Sequence, residues 1–352
     1  MKKVGLALLL VVVLACLGGF VVYSRMNEVY QGYDGESQEV IIPSGTSPRA
    51  IGESLVAAGV VRDALTYRVA LALTGAARHL KAGEFRFDRP MTPRDVIDKI
   101  ARGEFALVNI TFREGLTIDE MAALFAAQGF GSAASFRAAA SQVALVANVD
   151  PSATDLEGYL FPDTYAVSRH IDAPQMVQVM VERFFRALTS DLRTAATAKG
   201  LTVRQLVTLA SIVEKETGSS AERPMVAAVY SNRLRIGMGL QCDPTVIYAL
   251  QRAGKYDGNL RRDDLSFDSP YNTYRYSGLP PGPIAAPGGE SLEAAAHPDD
   301  SDYIFFVSKN DGTHAFARSL DEHNQNVQKY QVQYFKDKRL AAQRAGAAPQ
   351  AP

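Results

Sequence analysis

The sequence predicts an α+β fold in three parts: an apolar N-terminal helix, a small strand-and-helix repeat, and a larger, mainly helical region with a small sheet. Three observations carry this. Val4 to Tyr23 is an uncharged run of 20 residues. Between residues 39 and 130, a strand-like stretch, a Gly or Pro turn and a capped helix recur about three times. From residue 150 onward helical periodicity dominates, interrupted by a proline-rich stretch at 269–287.

At 352 residues the chain is long for one domain. An apolar share of 47% with 21% charged residues is ordinary globular composition. The net charge of −1 and the lack of a basic stretch exclude a nucleic-acid footprint.

A helix over Val4–Tyr23 would span about 30 Å, the thickness of a bilayer's hydrocarbon core. Lys2 and Lys3 before it favour an N-terminus inside and a body outside, although Arg25 reduces the contrast. Residues 1–25 are therefore expected to be a cytoplasmic tip and a single-pass transmembrane anchor. The inner membrane, with the body of the chain on the periplasmic face, is the expected location. The stretch Val13-Leu14-Ala15-Cys16 has the look of a lipidation site, but the run stays apolar beyond Cys16, which favours an anchor. The two cysteines, Cys16 and Cys242, fall in different parts, so no intrachain disulfide is expected. The five histidines show no metal-ligand spacing, and neither metal nor cofactor is expected.

Residues 26–38 read as a polar linker. Strands are expected at Glu39–Ile42, Phe85–Phe87 and Leu107–Phe112, each followed by a helix whose cap is Ser47, Thr92 or Thr117. Pro48 and Pro93 take the first helical position, where a missing N–H costs nothing. Residues 39–130 form one such module.

The second domain, residues 150–335, opens with DLEGYLFPDTYAV. Helical patterns follow at Ala173–Lys199 and Thr202–Lys215. Ser219 and Glu222 have capping-box spacing, which gives Glu222 a structural role. Asp243-Pro244 has the form of a cap and first-turn proline. Ser269–Pro287 is expected to be an ordered loop, Tyr303–Val307 a strand and Asp321–Tyr330 a helix. Residues 336–352 are expected to be a disordered tail.

The most informative segment is Thr208–Leu250, where Glu214 and Glu216 close an otherwise apolar helix. At about 100° per residue they point some 160° apart and cannot form one acid/base pair. Periodicity alone leaves open which is desolvated. A solvated residue paired with Lys215 or Arg223 fits Glu214 better.

The runs SIVEKETG, NRLRIGMGLQCDPTVIYAL, SPYNTYRYSGLPPGPIAAPG and AAAHPDDSDYIFFV, together with LEGYLFPDTY, closely resemble the endolytic murein (peptidoglycan) transglycosylase family, and the similarity covers nearly the whole chain. Small repeats of this kind occur in wall-binding modules, so residues 39–130 are expected to be a LysM-like wall-associated module, with a structural spacer as the alternative reading. The resemblance implies a lysozyme-like catalytic domain. It assigns the catalytic acid to the second glutamate of the EKE triplet, Glu216, with Glu216-Thr217 in the place of the lysozyme-like Glu-Ser. Cys242 stands where the family commonly has Thr. The implied reaction is cleavage of the β-1,4 bond between N-acetylmuramic acid and N-acetylglucosamine within nascent strands. It would leave 1,6-anhydromuramoyl ends and limit strand length. Peptidoglycan strands and the membrane are the implied partners, with peptidoglycan synthases as further candidates.

One carboxyl group suffices for that chemistry. Ordinary glycosidases need two; here the sugar's own 6-hydroxyl is the nucleophile, and Glu216 is acid first and base second. Its pKa should then lie above the usual carboxylate range, and the apolar helix face supplies desolvation. Tyr159, Asp163, Tyr165, Gln241, Asp243, Thr245, Asn272, Thr273 and Tyr274 are the candidate substrate-binding residues. Two other readings stand beside this one: a non-catalytic wall-binding or scaffolding protein of the envelope synthesis machinery, and a two-carboxylate hydrolase with Asp163 as partner.

Overall fold

The structure, a computed structural model, describes residues 2–346; at residues 2–8, 11, 15 and 341–346 it describes the backbone alone. The chain divides into two compact units, one of residues 1–109 with 165–170 and one of residues 110–164 with 171–352.

In the first unit α1 (Lys2–Asn27) is followed by β1 (Gln38–Ile42), α2 (Pro48–Ala57), α3 (Ala64–Thr74), β2 (Gly83–Phe87) and α4 (Pro93–Arg102). β1 and β2 pair antiparallel with Val40 opposite Phe85. Alternate residues turn inward as a strand's period of two requires: Val40 and Ile42 are buried while Ile41 faces solvent. Their core is completed by Leu55, Tyr67, Val96 and Ile100. Ser47 and Thr92 cap their helices by accepting the amide N–H of Ala50 and Asp95, as the repeat predicts.

The expected linker is not a free spacer. Tyr30 bridges to Met91 and the Gly32 N–H donates to the Gly59 carbonyl. Gly59 (φ 68°) admits this approach, since a Cβ there would lie 2.6 Å from the Gly32 carbonyl carbon. Residues 30–33 are thereby laid against the unit's core, with Tyr33 partly buried. Among the described residues no helix is long and apolar enough to cross a membrane. The anchor segment Val4–Tyr23 lies in α1, partly outside the residues whose side chains are described.

The division between units falls inside β3 (Leu107–Phe112) and inside its partner β4 (Asp163–Ser168). The third strand-and-helix copy thus leads into the second unit, where Thr117 caps α5 (Ile118–Ala127) in a reciprocal capping box with Glu120. There follow α6 (Ala133–Ala140), α7 (Ala173–Ala187), α8 (Ser190–Ala198), α9 (Val203–Glu216), α10 (Arg223–Arg235), α11 (Asp243–Arg252) and α12 (Gly289–Ala296). The β5 (Phe305–Ser308) and β6 (His314–Ala317) hairpin, α13 (Leu320–Val327) and α14 (Tyr334–Gly346) close the chain.

The long pattern Ala173–Lys199 is two helices because Leu188 leaves helical geometry and Thr189 caps α8. The strand β6 was not expected from the sequence. Its signal is the turn around Asp311-Gly312, in which Asn310 and Gly312 take φ of 63° and 87°. Residues 336–346, expected as disordered tail, are helical; Lys, Arg, Gln and Ala there are good helix formers. The remaining tail, 347–352, lies outside the described residues.

α9 is the central helix. Its residues Leu206–Val213 are all buried, and α8, α10, α11 and α12 pack on it. A helix apolar on every side must be enclosed this way. Gly158 of LEGYLF (φ 82°) lets a turn come against it, for a Cβ there would meet Val207 at 2.9 Å and Pro283 at 2.5 Å.

Candidate active site

Two carboxylates leave the end of α9 in opposite directions, as the helical angle requires. Glu216 is partly buried and turns toward α10 and α11. The Tyr230 hydroxyl of α10 donates to Glu216 Oε1 at 2.6 Å. The Cys242 thiol, at the entry to α11 and fully buried, is also hydrogen-bonded to it. Burial pushes the Glu216 pKa up, and Asp243 nearby adds to this; Cys242, Tyr230 and His314 partly offset it. The raised pKa keeps a proton on the carboxyl beyond the usual carboxylate range. The two donors stay donors, because burial drives the Tyr230 and Cys242 pKa values well up. Arg233, buried beside the group, donates to the Ile304 and Leu240 carbonyls at 2.7 and 2.5 Å.

Glu214 meets Arg223, as expected, at 3.0 Å, but it is not a solvated residue: its side chain is 6% exposed and that of Arg223 is 7% exposed. It also accepts from the Gly288 N–H at 3.0 Å and the Ser291 hydroxyl at 2.7 Å. Arg223 further contacts Glu290 and, at 3.5 Å, Glu114. Glu214 thus ties α9 to the start of α12, an interaction between residues far apart in sequence.

Glu222 likewise does not form the expected capping box; Ser219 makes no side-chain cap bond. Glu222 accepts the His314 N–H at 2.9 Å and faces its Nδ1 at 2.7 Å, fixing the β5–β6 hairpin to the start of α10. Asp243 caps nothing either. It is the first residue of α11, exposed, and accepts the Tyr274 hydroxyl at 2.6 Å.

The other nominated residues divide into three groups. Gln241, Asp243 and Tyr274 gather at the exposed rim beside Cys242. Thr245, Asn272 and Thr273 are buried and act as scaffold. Asn272 donates to the Leu265 and Phe267 carbonyls, and Thr273 Oγ1 accepts the Cys242 N–H at 2.9 Å while meeting Thr245 Oγ1 at 2.9 Å. Tyr159, Asp163 and Tyr165 lie elsewhere. Tyr159 is buried, its hydroxyl on Asp150 at 2.7 Å. Asp163 pairs with Arg183 at 2.7 Å in a cleft bounded by Gly218, Arg223 and Glu290. Tyr165 is buried in the first unit. Tyr230 and Arg233, missed in the sequence, sit three residues apart on one face of α10, where they read as ordinary core and surface residues. At the surface Asp191, Glu293 and His297 bring one ligand-capable atom each within 4.8 Å, all exposed.

A carboxyl that is desolvated and held by two donors, with polar side chains at its rim, has the properties that general acid/base chemistry requires. The chain belongs to the YceG-like family, whose profile matches residues 40–329. It is 32% identical over 333 residues to a Bacillus subtilis protein named endolytic murein transglycosylase, across 89% of this chain and 91% of that one. A protein of the same name from Streptococcus pneumoniae is 28% identical, across 93% of this chain and 65% of its own length. A crystal structure of a YceG-like protein from Listeria monocytogenes matches with a TM-score of 0.56 and 32% identity, covering 82% of this chain and 98% of that one. The chain is thus an enzyme of a transglycosylase family.

The Tyr230 bond has a measurable signature. Tyr230→Phe should keep the ring's edge contact with Phe306 at 5.8 Å while removing the donor. Because that bond favours the ionised carboxylate, its loss raises the Glu216 pKa further. The alkaline limb of the pH–rate profile should move to higher pH, with kcat down about 10-fold. An unmoved limb shows that Tyr230 does not act on Glu216.

Proposed function

We propose that the chain is an endolytic peptidoglycan lytic transglycosylase with Glu216 as its acid and base. The observation that carries this reading is the Glu216 carboxyl itself: desolvated, raised in pKa and held by Tyr230 and Cys242, with no second carboxylate bonded to it among the described residues. In the first half Glu216 gives its proton to the glycosidic oxygen between N-acetylmuramic acid and N-acetylglucosamine, and the anomeric C–O bond breaks. The muramoyl 6-hydroxyl oxygen then bonds to the anomeric carbon and yields its proton to the Glu216 carboxylate. The product is a 1,6-anhydromuramoyl end, no water is consumed, and Glu216 returns protonated. Tyr230 and Cys242 stabilise the carboxylate between the halves.

Mass spectrometry of purified strands after incubation with the protein tests this. Anhydro ends support it; reducing ends identify a hydrolase, and uncut strands a binding protein. Because the protonated carboxyl starts the reaction, kcat/KM should hold at mildly acidic pH and fall as pH rises through the raised Glu216 pKa. A profile flat from pH 4 to 8 removes Glu216 from the role.

The uncharged run Val4–Tyr23 supports a single-pass inner-membrane anchor with the enzyme on the periplasmic face. The β1–β2 unit then serves as a LysM-like wall-associated module close to the outer face of the membrane, where nascent strands emerge beside the synthases. Loss of the protein should lengthen glycan strands in a cell with no redundant enzyme. An unchanged length distribution on chromatography counts against this placement.

A further inference from the structure

Among the described residues, two that are not glycine hold φ in the left-handed region: Asn310, of a residue type that tolerates it, in the β5–β6 turn, and Gln241 at 51°. Gln241 has no such tolerance, and strain of this kind persists only where the surroundings impose it. Here they do. The Gln241 N–H donates to the Thr273 carbonyl at 3.2 Å and the Cys242 N–H to Thr273 Oγ1 at 2.9 Å. The Thr245 hydroxyl donates to the Cys242 carbonyl at 2.7 Å, and Arg233 holds the Leu240 carbonyl.

The result is a rigid segment with side chains sent alternately in and out. Cys242 points inward onto Glu216. Gln241 and Asp243, on either side of it, are exposed. Asp243 is steadied by Tyr274. The Gln241 carboxamide makes no hydrogen bond to the described residues, and its chain passes over Gly239, where a Cβ would touch Gln241 Cγ at 3.7 Å. A strained backbone thus holds an unpartnered amide one residue from the catalytic acid's own hydrogen-bond donor.

We infer that Gln241 is a specificity-determining residue whose carboxamide pairs with the 2-acetamido group of a sugar beside the scissile bond. A carboxamide offers one acceptor and donors, the complement of an acetamido N–H and carbonyl. Every sugar of the glycan carries that group, so an amide carried on this fixed backbone position sets how far each ring advances past Glu216. The inference rests on the reaction proposed above and deepens it.

The test compares intact glycan strands with de-N-acetylated strands, re-acetylated strands serving as control, for the full-length protein and two variants. A site built around a substrate hydrogen bond rejects the analogue lacking it steeply. The native protein should cut de-N-acetylated strands about 100-fold more slowly. Gln241→Gly suits the left-handed backbone and removes only the side chain. It should resist urea at least as well as the native protein, lose about 10- to 100-fold in kcat/KM on intact strands, and discriminate less than about 3-fold. Gln241→Asn keeps an amide and tolerates the same backbone, so part of the rate and of the discrimination should return. If Gln241→Gly retains native rate, or loses rate with full discrimination, Gln241 does not read the acetamido group. Absence of anhydro ends from the native protein overturns the underlying reaction instead.

Discussion

Glu216→Gln should abolish glycan cleavage, lowering kcat by about 10²- to 10⁴-fold while leaving the fold intact. Gln keeps the size and the acceptor for Tyr230 and has no proton to give. The same variant should be more stable than the native protein above mildly acidic pH. The folded Glu216 pKa is raised above its unfolded value of about 4.3, so burial is tolerated in full below that value and native stability falls as pH rises through the folded pKa. Gln does not titrate, and the variant's advantage in urea denaturation should grow with pH over that window. A gain in stability coupled to a loss of activity is the mark of a strained catalytic group. A folded variant that cleaves at near the native rate would sink the assignment, and one that is destabilised at high pH would show that Glu216 is not desolvated.

Arg223→Ala should be the most destabilising single change near the site, by about 3–5 kcal/mol in chemical denaturation. It strands Glu214, buried at 6% exposure, and leaves Glu114 and Glu290 beside it without their shared cation. Glu214→Gln should cost less, about 1–3 kcal/mol, since Gln still accepts from Gly288 or Ser291 while Arg223 retains two other carboxylates. The loss should appear in stability rather than in the pH–rate profile. If Arg223→Ala unfolds at the native urea concentration, the α9–α12 tie is not carried by this ion pair.

These two glutamates show where sequence reasoning stops. That Glu214 and Glu216 diverge follows from a 100° step and needed no coordinates. That one meets a buried arginine and the other a tyrosine and a thiol depends on Arg223, Tyr230, Ser291 and Cys242, brought together by packing of α10, α11 and α12 on α9. No local pattern encodes that meeting. The same holds for Asp243 and Glu222: each has a spacing suited to a helix cap, and each finds a stronger partner, Tyr274 or His314, across the fold. Asn272 and Thr273 look like sugar ligands in a polar loop, yet Asn272 donates to the loop's own Leu265 and Phe267 carbonyls and Thr273 ties the loop to α11.

What the sequence by itself determined was local and periodic. The strands β1 to β3, the caps Ser47, Thr92 and Thr117, the apolar α9 and the irregular loop 269–287 all follow from alternation, cap chemistry and proline's missing N–H, which act over a few residues. The motif resemblance marked Glu216 as the acid for the same reason: it is carried by contiguous residues. The tertiary structure alone decided which side chains face Glu216, which ones hold Glu214, and why Gln241 holds a left-handed backbone. Desolvation and partner choice are properties of the packed interior, where residues from 9 to 92 positions apart are neighbours, so those assignments exist only once the chain is folded.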